Sequence, residues 1–119
     1  MPRILAADDS VSIRQMVSHT LKEAGYDVET ANDGMDALKK AKGQRFDVVI
    51  SDVNMPNMDG LELVKMLRTN PQYKFTPILM LTTETSAEKK SAGKQAGATG
   101  WIVKPFNPDT LLKTLDRVI

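Results

Sequence analysis

The sequence predicts an α/β domain, a doubly wound (βα)5 parallel sheet with strand order 2-1-3-4-5. Three observations lead there. Short apolar runs and amphipathic helical patterns alternate five times within 119 residues. The second run alternates apolar and polar residues, as an edge strand does, whereas the first, third and fourth are apolar and suit the centre. Right-handed crossovers between parallel strands leave few other arrangements.

The elements follow in order. Arg3 to Ala7 reads as the first strand. A helix over residues 10–24 comes next, with Ile13, Met16, Val17, Thr20, Leu21 and Ala24 on one stripe and Gly25 at its C-terminal cap. The second strand covers residues 26–30. Asn32-Asp33-Gly34 then caps a helix carrying Ala37, Leu38 and Ala41, which ends at Gly43. Residues 46–51 form the third strand, and a loop with Pro56 and Gly60 leads into a helix bearing Leu61, Leu63, Val64 and Leu67. Asn70-Pro71 stops that helix, and the fourth strand starts near Pro77. Thr85-Ser86-Ala87-Glu88 has capping-box spacing for the fourth helix, which reaches Ala96. Its apolar residues are small (Ala87, Ala92, Ala96), and Gly93 interrupts it, so little area anchors it. Gly97 and Gly100 bracket the turn into a fifth strand holding Trp101, Ile102 and Val103. Asn107-Pro108 opens the last helix, with Leu111, Leu112, Leu115 and Val118 facing inward.

Composition narrows the function classes. The length suits one domain, residues 1–119, and no output domain is expected. Sixteen basic residues balance fifteen acidic ones, and no run of Lys or Arg exceeds two, so no nucleic-acid partner is expected. The absence of cysteine removes disulfides, thiol catalysis and thiolate zinc sites. Met1-Pro2-Arg3 runs straight into a strand and no apolar span approaches about 20 residues, so a cytoplasmic protein without a signal peptide or a membrane partner is expected; a monomer is expected as well. His19, flanking the buried stripe of the first helix, is expected at the surface. Met16, Met66 and Met80 are expected to fill the core.

The chemistry gathers at the strand ends. Asp8 and Asp9 follow the first run, Asp52 the third, Thr82 the fourth and Lys104 the fifth. In the predicted order these residues meet at one edge of the sheet, at the crevice where strand order reverses. Three carboxylates in one place repel one another unless a cation joins them, and an oxygen donor set of this kind suits magnesium. Asp52 is the central carboxylate and the natural nucleophile toward phosphorus. Lys104 and the Thr82 hydroxyl are placed to neutralise and bind phosphoryl oxygens. Pro105 biases Lys104 toward extended backbone and raises the prospect of a cis bond.

These residues carry a resemblance. Asp8-Asp9, the stretch Asp52-Val53-Asn54-Met55-Pro56-Asn57-Met58-Asp59-Gly60, Leu81-Thr82 and Lys104-Pro105-Phe106 resemble the receiver domains of two-component response regulators, and most of all the CheY-like chemotaxis regulators on the flavodoxin-like fold. The resemblance covers essentially the whole chain. It implies that Asp52 accepts a phosphoryl group from a phosphohistidine on a CheA-like histidine kinase. It implies Mg2+ held by Asp9, Asp52 and the Asn54 carbonyl, with Asp8 acting partly through water. Lys104 would contact the phosphoryl group, Thr82 would move toward it, and Trp101 would turn inward. A partner protein would read the face of helix 4, strand 5 and helix 5. Asn54 and Glu84 stand where the family has residues tied to rapid loss of phosphate, so a short-lived phosphorylated state is expected.

Some positions depart from the family. Trp101 replaces the usual Tyr or Phe, and Thr83 a smaller residue. Charged Lys90 stands where regulators of the flagellar motor switch offer an apolar contact, which weighs against the motor as partner. The other readings considered were a phosphorelay or non-flagellar chemosensory receiver, a degenerate receiver, a haloacid-dehalogenase-type phosphatase and a flavin binder. The phosphatase reading lacks a second Asp at position 54 and room for a cap. Asp8-Asp9 would repel the phosphate of a flavin.

Overall fold

The computed structural model describes residues 2–82 and 87–119, and of residues 87–90 only the backbone. The elements alternate as expected: β1 (Arg3–Ala7), α1 (Val11–Glu23), β2 (Asp27–Ala31), α2 (Gly34–Gly43), β3 (Val48–Asp52), α3 (Gly60–Arg68), β4 (Ile78–Thr82), α4 (Ala87–Ala96), β5 (Gly100–Val103) and α5 (Pro108–Val118). A short 3-10 turn, Pro71–Tyr73, lies between α3 and β4. All strand pairs are parallel, in the order β2-β1-β3-β4-β5.

Two apolar layers sandwich the sheet. On one face Leu5, Val49 and Met80 pack with Ala37, Leu38 and Ala41 of α2, Leu63, Val64 and Leu67 of α3, and Ala96 of α4. On the other, Ile4, Ile50, Leu79 and Ile102 pack with Val17 and Leu21 of α1 and Leu111 and Leu115 of α5. The alternation of side chains along each central strand feeds both layers, which is why those runs are apolar throughout.

Local chemistry sets the helix starts. The side chains of Ser10, Asp33, Asp59 and Asn107 each accept a hydrogen bond from the backbone amide three residues on, capping α1, α2, α3 and α5. Expected inward residues differ in two places. Ala24 is exposed because it caps the C-terminus of α1, and Met66 is exposed on the outer side of α3. Met80 is buried, Met16 partly so, and His19 lies at the surface. The third strand begins later than the apolar pattern suggested and includes Asp52. Its lead-in at Asp47 is nevertheless paired, since the Asp47 amide donates to the Arg3 carbonyl at 2.8 Å and the Arg3 amide to Asp47 Oδ2 at 2.8 Å. The expected capping box of α4 at Thr85 and Ser86 lies outside the described residues, as do Thr83 and Glu84 and the side chains of Glu88 and Lys90. Among the described residues no helix is long and apolar enough to cross a membrane.

Candidate functional site

Strand register assembles the site. Ala7 pairs with Ser51 across β1 and β3, so Asp8, just past β1, and Asp52, the last residue of β3, lie at the same level. Asp52 pairs with Leu81, and Thr82 pairs with Val103, which places Thr82 one step and Lys104 two steps beyond. Five sequence-predicted residues thus share one edge because the ends of β1, β3, β4 and β5 lie within two residues of one another in register.

Asp8, Asp9 and Asp52 offer carboxylate oxygens that all lie within 4.8 Å of one another. Asp8 and Asp52 are buried, at 2% and 6% exposure, whereas Asp9 faces solvent. Lys104 closes the cluster, its Nζ donating to Asp8 Oδ2 at 2.8 Å and lying 3.3 Å from Asp52 Oδ1. Thr82 is fully buried at the end of β4, and its carbonyl accepts from the Lys104 amide at 2.8 Å. The Lys104–Pro105 bond is cis. Asn54 is exposed in the loop between β3 and α3.

Three acids and one ammonium do not balance. Burial raises the Asp52 carboxyl above its ordinary range, and the Asp8 carboxylate pushes the same way against the opposing pull of Lys104. Burial pulls the Lys104 ammonium downward. Its hydrogen bond to Asp8 and the charge of Asp52 outweigh that, so the ammonium is held above its usual value. The edge therefore has a shortage of positive charge, and its donors are all hard oxygens. That chemistry fits a small divalent cation with coordinated waters.

Sequence reasoning missed the supports behind Asp8. The Ser10 amide donates to Asp8 Oδ1 at 2.9 Å, and Arg14 donates from its guanidinium to the Asp8 carbonyl at 2.7 Å. Both Asp8 oxygens are thus engaged, one by Ser10 and one by Lys104, and Asp52 shares the Lys104 ammonium with it. The spacing placed Ser10 at the start of the first helix; that it caps α1 and also holds Asp8 required coordinates. Trp101 is partly buried and packs with the α2–α3–α4 layer.

Comparison with known proteins agrees with this geometry. The model of the response regulator receiver domain matches residues 4–116. The chain is 39% identical over 117 residues to chemotaxis protein CheY-3 of Vibrio cholerae serotype O1, covering 98% of this chain and 90% of that protein. The structure of Vibrio cholerae chemotaxis protein CheY4 superimposes with a TM-score of 0.98 at 71% identity, covering 100% of this chain and 99% of the other. Response regulator protein TrrA from Thermotoga maritima, solved in complex with Mg2+ and BeF, gives a TM-score of 0.89 at 34% identity over the whole of both chains. The chain belongs to the response regulator receiver domain family, as a receiver of the CheY type.

Proposed function

We propose that this receiver serves a chemotaxis-type two-component system, with Asp52 as the phosphoacceptor. One observation carries the reading: a buried acid, 6% exposed, lies at the centre of a carboxylate cluster with the Lys104 ammonium 3.3 Å away. Asp9, Asp52 and the Asn54 carbonyl would hold a magnesium ion, with Asp8 contributing partly through water. When bound, magnesium supplies the positive charge the edge lacks and neutralises a phosphoryl oxygen.

The chain's own residues do the rest. An Asp52 oxygen forms the new O–P bond while the P–N bond of a phosphohistidine on a CheA-like histidine kinase breaks. The released imidazole keeps the electron pair and takes up a proton. Lys104, held protonated, transfers its hydrogen bonds from Asp8 and Asp52 to the phosphoryl oxygens. The Thr82 hydroxyl donates to another oxygen and draws the end of β4 inward. Trp101 follows, altering the face of α4, β5 and α5 that an output protein reads. Water later cleaves the acyl phosphate to inorganic phosphate and the free carboxylate, assisted from the positions of Asn54 and Glu84.

The test uses beryllofluoride or acetyl phosphate with magnesium. Trp101 is the sole tryptophan, so its emission reports on the switch alone. A magnesium-dependent change is expected in the native chain and none in Asp52→Asn. A change that persists in Asp52→Asn overturns the mechanism.

A further inference from the structure

The loop between β3 and α3 is held at both ends, but by different means. Its inner end is part of the sheet: the Val53 amide donates to the Leu81 carbonyl at 3.0 Å, and the Gly60 amide to the Val53 carbonyl at 2.8 Å. Its outer end leans on the N-terminus of α2. Asn57 occupies the left-handed region with φ 68°, and its Nδ2 donates to Asp33 Oδ2 at 2.7 Å. Beside that bond, the Gly34 amide donates to the Met58 carbonyl at 3.1 Å. A Cβ on Gly34 would lie 2.2 Å from the Met58 oxygen, so the two segments meet backbone to backbone.

Asp33 serves two masters. Its Oδ1 caps α2 by accepting from the Asp36 amide at 2.8 Å, while Oδ2 receives Asn57. The Asp36 amide, and after it the Asn57 amide, hold the Asp33 carboxyl below its ordinary range. Asparagine tolerates the left-handed turn, but glycine would serve that turn as well and without a donor. The side-chain bond is therefore a separate property of Asn57.

We propose that Asp33 and Asn57 are positioning residues for the metal site, acting together to fix the loop that presents the Asn54 carbonyl. This rests on the reading above in which that carbonyl is a magnesium ligand. Magnesium accepts only near-octahedral geometry at about 2.1 Å, so small drifts of one ligand weaken it. Partners outside the ligand set commonly change metal affinity by roughly 10- to 100-fold. Because this bond faces solvent, the effect falls at or below the bottom of that range, about threefold to tenfold.

The experiment is a calorimetric titration of the metal-free chain with magnesium chloride, paired with amide hydrogen exchange before metal is added. Asn57→Gly keeps the turn and removes the donor. It is expected to weaken magnesium binding about threefold to tenfold and to speed exchange at the Gly34 amide several-fold. The double variant Asp33→Asn with Asn57→Asp reverses donor and acceptor while conserving the cap and the net charge. It is expected to restore both readouts. Unchanged affinity or unchanged Gly34 exchange in Asn57→Gly, or failure of the reversed pair to recover them, overturns the proposal. A native chain that takes up no magnesium, or an Asp9→Asn variant that binds it equally well, overturns the magnesium reading itself.

Discussion

Replacing Gly93 by alanine separates a rule about helices from a fact about this one. Gly93 lies inside α4, where alanine is intrinsically favoured by about 1 kcal/mol. The indole of Trp101 occupies the space that the new methyl needs. A Cβ on Gly93 would fall 2.0 Å from Trp101 Cζ2, 2.6 Å from Cη2 and 3.1 Å from Cε2. Ordinary carbon contacts begin near 3.5 Å, so the ring or the helix must yield by about 1.5 Å. Swinging the indole that far takes roughly 20° at χ1, and overpacking of this kind costs about 1–3 kcal/mol. Gly93→Ala is therefore expected to lose about 1 kcal/mol net despite its better propensity. In a Trp101→Ala background the same change is expected to gain about 1 kcal/mol, a coupling of about 2 kcal/mol. Urea unfolding followed by circular dichroism measures all four proteins. The emission of Trp101 in Gly93→Ala is expected to shift to the red as the ring is pushed toward the groove lined by Ser91, Lys94, Ala98 and Thr99. A Gly93→Ala protein that is more stable than the native chain, with unchanged emission, refutes the reasoning.

Two further outcomes follow from one buried and one half-buried polar group. Since the folded state holds the Asp52 carboxyl above its ordinary 3.8, the native state binds more protons than the unfolded chain just above that pH. Asp52 thus costs stability as pH rises through its folded value, and Asp52→Asn is expected to raise Tm by a few degrees at neutral pH without metal. The gain should shrink as pH falls toward 4 and when magnesium is added; melting curves at both ends check it. Arg68 donates to the carbonyls of Tyr73 at 2.7 Å, Thr76 at 2.7 Å and Gly97 at 2.8 Å, tying α3 to the entry of β4 and the exit of α4. Arg68→Ala is expected to cost about 2–4 kcal/mol, and Arg68→Lys to recover little of it because an ammonium lacks the planar fork. Urea midpoints measure the loss, and fast exchange at the Gly97 amide would locate it.

The fold was legible because its signals are local. Periods of two and of three to four, caps at Asp33 and Asn107, and the polar alternation of β2 lie within short windows of sequence. The exceptions were also local in cause: Met66 faces outward because a stripe drawn from spacing is broader than the buried face. The acidic cluster was legible too, because a parallel sheet brings the ends of separate runs to one edge. Its members could be named before any distance was known.

Supports that join distant residues were not legible. Nothing in the order of residues says that Arg14 holds the Asp8 carbonyl, that Arg68 reaches Gly97, or that Asn57 bonds Asp33. Each depends on the separation of two helices or loops to within an ångström, a quantity set by packing across the whole sheet. Gly93 shows the division most clearly. The sequence by itself determined that α4 carries a weak point and that a tryptophan follows it. Only the tertiary structure decided that the weak point is the seat of that ring, because a helix and a strand must approach to contact distance before a missing methyl has meaning.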